Sequence, residues 1–151
     1  MSAQAELDSF IDKFTPEVAS LARTLFAALS SQIAGAHILV YDNYNALAIG
    51  FGPTDKVGDL VLSLAVMPRW VDLYFMWGAR LDDPDGLLVG AGKQGRHIKI
   101  TDAAVLDDPR VQSLIARSLA MADRPIDSTM PGNLIIKSVS AKQRPRRPAA
   151  G

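Results

Sequence analysis

Apolar positions recur at helical spacing in the first thirty residues and at alternate positions from His37 onward. Leu7, Phe10, Ile11 and Phe14 fall at i, i+3, i+4 and i+7, with Glu6, Asp8, Asp12 and Lys13 off that face, which predicts a helix near 5–14. "TPEV" follows with Thr15 as an N-cap, Pro16 where its missing N–H costs nothing, and Glu17 beside the positive helix end. Val18, Leu21, Ala22, Leu25, Phe26 and Leu29 carry that second helix across 16–31. A period of two then predicts strands near 37–42, 46–51, 60–67, 71–77 and 96–100, and "NLIIKSVS" supplies a sixth. Short turns between the first four force an antiparallel meander, because a parallel pair needs a crossover. Asp107 or Asp108 with Pro109 opens a last helix near 109–122, its stripe made by Val111, Leu114, Ile115, Leu119 and Ala122. The expected fold is α+β: a two-layer sandwich of a five- to six-stranded antiparallel sheet with N-terminal and C-terminal helices on one face.

Length and charge refine this picture. At 151 residues and 48% hydrophobic, the chain suits one domain, read here as 1–140, followed by a basic, Pro-rich tail at 141–151. Lys137, Lys142, Arg144, Arg146 and Arg147 are bases, and no acid lies beyond Asp127, so residues 1–136 carry net −5 and the remainder +5. An acidic body argues against nucleic acid as partner. The tail reads as mobile unless something binds it, and phosphate, an acidic partner or the body itself could do so. Zero cysteines exclude disulfides, thiolate zinc sites, iron–sulfur ligation and a thiol nucleophile. No apolar run is long enough for a membrane helix and the first residues lack a signal peptide's pattern, so the expected compartment is the cytoplasm, with no membrane partner.

The stretch "DGLLVGAGKQGRHIKI" concentrates the candidate chemistry. A Walker loop would need glycine and a hydroxyl residue where Leu87 and Gln94 stand, and a dinucleotide fingerprint should open a helix where "RHIKI" reads as a strand. The physics that survives is an anion-tolerant turn: Gly90 and Gly92 let backbone N–H groups approach a ligand, while Lys93 and Arg96 supply charge. Tyr74, with Trp70 and Met76 on the same strand face, could line a pocket beside it. His37 and His97 stand alone, without ligand spacing. The acids of "LDDPD" and "LDDP" fit a turn and a helix cap. No G-x-S-x-G elbow occurs.

The combination of "FIDKFTPEVASLARTL", "LYFMWGARLDDPDGLLVGAGKQGRHIKI" and "LIARSL" resembles the YdhG-like family, a bacterial domain of unknown function. The likeness covers roughly residues 6–122, with Leu73 to Phe75, Leu81, Gly90, Gly92, Lys93 and Arg96 matching the recurring signature. It implies a small sandwich of frataxin-like topology, and in some members an iron-chaperone role, which here would rest on Glu6, Asp8 and Asp12. The residues themselves point to a binding module for a small anionic ligand or a protein partner, with no cofactor required. Iron chaperone is the first alternative, with iron as cargo, and an enzyme without a legible motif the second. Strand edges that pair between chains would make a homodimer.

Overall fold

A computed structural model describes residues 1–149. Helix α1 spans Ala3–Ile11, capped by Ser2, whose Oγ accepts from the Ala5 N–H, and it buries Leu7, Phe10 and Ile11. Helix α2 spans Pro16–Gln32, where the Thr15 hydroxyl accepts from Val18 N–H. Strands β1 to β5 follow at His37–Asp42, Leu47–Gly52, Leu62–Val66, Val71–Phe75 and Arg96–Ile100. Helix α3 is Pro109–Met121, with the Asp108 carboxylate accepting from Arg110 N–H, and β6 is Leu134–Val139.

The sheet order is β5-β4-β3-β2-β1-β6. The first five strands form the expected antiparallel meander. Strand β6, however, lies parallel to β1, so the sheet is mixed rather than wholly antiparallel. Topology gives the reason. In a five-strand meander β5 runs in the same direction as β1, and one returning helix, α3, brings the chain back so that the next strand repeats that direction.

Cross-strand register sorts the two faces. Val40, Ile49, Leu64, Leu73 and Ile98 line up across the sheet, and with Leu7, Leu25, Leu114 and Ile115 from the helices they form one core. All three helices therefore bury their stripes on the same sheet face. The opposite face carries Leu39, Gly50, Gly52, Ser63, Tyr74 and His97. Leu60 and Trp77, which fit the alternation of β3 and β4, lie outside both strands. Leu60 crosses to the face without helices, where its Cδ1 lies 2.6 Å from the place a Cβ on Gly50 would take, so a larger residue there would have to displace the Leu60 side chain. Trp77 turns out of β4 into a short 3₁₀ helix, Gly78–Arg80. A Cβ on Gly78 would come within 2.5 Å of the Arg96 Cβ.

Of the three partners open to the basic tail, the body is the one seen among the described residues. Ser140 N–H and the Gln143 side-chain amide both donate to the Asp42 carbonyl, at 2.8 and 3.0 Å. Arg146, only 7% exposed, donates to Asp42 Oδ1 at 2.8 Å and lies over the Phe14 ring. Lys13 Nζ donates to Asp42 Oδ2 at 2.7 Å, and Arg147 Nε reaches the Lys13 carbonyl. Asp42 itself is 0% exposed. Burial pushes its carboxyl up, but the donors from Lys13, Gln143 and Arg146 outweigh that and hold it below the ordinary value of 3.8.

Candidate functional site

The glycine-rich loop, first among the sequence candidates, enters β5 as a tightly self-bonded turn. Gly86, Gly90 and Gly92 have φ of 63°, 133° and 98°, a region open to glycine at little cost. The Asp83 carboxylate accepts from the N–H groups of Leu87 and Leu88, at 3.0 and 2.9 Å. Val89 then pairs with His97 through both backbone hydrogen bonds, and Ala79 N–H donates to the Gln94 carbonyl. Arg96 folds back on its own loop, giving one guanidinium N–H to the Gly95 carbonyl at 2.7 Å and another to Gly92 at 3.0 Å. Tyr74 stands over Gly95, where a Cβ would meet its hydroxyl at 1.7 Å. The structure thus brings Gly90, Gly92, Arg96 and Tyr74 together, while Lys93 points into solvent with no hydrogen-bond partner among the described residues. In this arrangement Arg96 closes the turn, and its fork is already engaged by carbonyls.

Glu6, Asp8 and Asp12 share α1 and the residue after it, but they do not converge. Asp8 takes a hydrogen bond from the Gln4 amide, and Asp12 is ion-paired to Arg23 at 2.6 Å. Among the described residues no three His, Asp or Glu side chains gather as metal ligands would. His37 accepts from Asn133 N–H, and His97 stands opposite Tyr74.

Two features were not assigned from the sequence. On the face without helices, Asp72 lies directly across from Lys99, whose ammonium sits 4.1 Å from the Trp70 ring. Burial raises the Asp72 carboxyl above its ordinary value, with His97, Trp70 and Lys99 pulling the other way, and its Oδ1 has no partner. Neutralisation of Asp72 is therefore favoured by folding, and its contribution to stability declines as pH rises through that raised value.

The second feature is a cleft of about 250 Å³ between the end of α3, the β2–β3 connection and the turn after β4. Its walls include Leu60, Val61, Trp77 and Met121; Arg80, Arg124, Asp59 and Asp123 bring charge to it. The Arg80 guanidinium stacks 4.5 Å from the Trp77 ring. The Asp59 carboxylate is held by the Thr54 hydroxyl at 2.6 Å. Ser118 lines this cleft at 4% exposure, and its hydroxyl has no partner. A buried hydroxyl without a hydrogen bond costs about 1–3 kcal/mol. Trp77 and Met121, both more than a third exposed, place large apolar surface at the same spot. A sequence signal for Ser118 existed: it occupies a core position of the α3 stripe, three residues after Ile115 and four after Leu114. Trp77 was masked because the alternation of β4 runs through it.

Among the described residues, no helix is long and apolar enough to cross a membrane. In comparison with known proteins, the chain matches no family model, no curated protein and no solved structure.

Proposed function

We propose that the chain is a binding module whose ligand occupies the cleft at the end of α3, held there without being chemically changed. The observation that carries this reading is a concave site of mixed lining in which the exposed apolar surface of Trp77 and Met121 meets the side chains of Arg80 and Arg124, with the unpaired Ser118 hydroxyl buried beneath its wall. The lining sets two guanidiniums and an indole beside two carboxylates, Asp59 and Asp123, while both histidines lie elsewhere. The glycine-rich loop then has a supporting role, since its Gln94 carbonyl anchors Ala79, next to Arg80. Membership of the YdhG-like family belongs to the same proposal, supported by the helix–helix–meander–helix–strand order.

The test is amide chemical-shift mapping of the full chain against a set of small acids, alcohols and amines. Saturable shifts at the Trp77 indole and at Ser118 to Arg124, with the fragment recovered intact, are expected. Shifts confined to Gly90 to Arg96 or to the Asp72 face, or consumption of the fragment, would contradict the proposal.

A further inference from the structure

Resting on that binding reading, the geometry points to a small carboxylate with an apolar body of about one aromatic ring as the ligand of this cleft. Size is the first constraint. A dry cavity of about 150 Å³ accepts benzene, so about 250 Å³ admits a ring together with a short charged arm. Leu60, Val61, Trp77 and Met121 provide the apolar wall such a ring needs, from which a hydrated ion would gain nothing.

Charge is the second constraint. The Arg80 guanidinium carbon lies 4.5 Å from the Trp77 ring, a cation–π contact that uses none of its N–H donors. Neither Arg80 nor Arg124 is ion-paired within the chain among the described residues. Two acids share the lining, Asp59, which accepts from Thr54, and Asp123, so the arginines' paired N–H donors rather than a net positive charge select the ligand. A planar carboxylate matches a guanidinium fork with two parallel hydrogen bonds. The arginines thus address one end of the ligand and the indole side addresses the other.

Calorimetric titration of the full chain with phenylacetate, 2-phenylethanol and phenyl phosphate tests this. Phenylacetate is expected to bind most tightly, and Arg80→Gln to weaken it about tenfold, the loss of one charge-assisted hydrogen bond, while 2-phenylethanol changes less than about twofold. Arg124→Gln is expected to weaken phenylacetate in the same direction with no loss of fold. If 2-phenylethanol binds as tightly as phenylacetate, the carboxylate assignment is overturned and the binding module stands. Tighter binding of phenyl phosphate replaces carboxylate by phosphate. If none of the three binds, the assignment falls, and the broader fragment mapping separately decides whether the cleft binds at all.

Discussion

At one end of the sheet Asp42 is buried and met by Lys13 and Arg146, with Gln143 on its carbonyl; at the other, Ser118 is buried beside Trp77 and met by nothing in the chain. The register places them at opposite ends: Asp42 is level with Leu47, Val66, Val71 and Ile100, whereas the cleft begins past Gly52, Phe75 and the start of β3. Both groups are costly to bury. The charged one is compensated by a terminal arm, which leaves only its own Arg146 Nε buried without a partner, and the neutral one is left uncompensated beneath a concave wall. A sealed end of this kind stabilises the fold, and an unsealed one is where binding energy from another molecule can enter.

Breaking the sealed end has the largest expected effect. Arg146→Ala leaves Asp42 buried with Lys13 as its remaining cationic partner, and removal of one member of a buried pair costs about 3–5 kcal/mol. Urea unfolding should show a loss near the lower figure, because Lys13 remains. A loss below about 1 kcal/mol would mean that the arm does not hold Asp42 in solution.

The acid limb of the stability curve sharpens the same contrast. The folded Asp42 carboxyl sits below its unfolded value of 3.8, so its contribution is complete above that value and drains as pH falls through the folded one. Wild type should lose stability more steeply below about pH 4 than Arg146→Ala, whose folded carboxyl has moved back upward. Parallel acid limbs would contradict the ion-pair account.

Changes in the glycine-rich loop rank lower. Gly92 has φ 98° but open space where a Cβ would stand, so Gly92→Val is penalised by backbone strain alone, about 1–2 kcal/mol in thermal or urea unfolding. Lys93→Ala should shift stability by less than about 0.5 kcal/mol, since the side chain is exposed and unpartnered. A ligand whose affinity collapses in Lys93→Ala would move the binding end of the molecule from the cleft to the loop.

Much of this architecture was legible in the spacing of apolar residues. The strand predicted at 37–42 and that at 96–100 are found at those limits, and the starts of α2 and α3 follow from Thr15–Pro16 and Asp108–Pro109. What spacing could not supply depends on three dimensions. A period of two continues through Leu60 and Trp77, yet the backbone leaves the ladder there because Gly50 admits Leu60 and Gly78 sits against Arg96. The direction of β6 depends on which edge α3 returns to. The basic arm reads as solvated because Asp42, its partner, lies 104 residues from Arg146. Of the candidate site, a glycine-shaped turn at Gly90 and Gly92 was legible from composition, and the inward turn of Arg96 was not.

The equilibrium stability of Ser118→Ala tests the central claim most directly. A hydroxyl that the fold leaves unpaired is a cost the fold carries, so its removal should leave urea stability unchanged or raise it by up to about 1 kcal/mol. A loss of 1 kcal/mol or more would show that the hydroxyl is already bonded within the protein and that this end of the sheet is as fully satisfied as the Asp42 end.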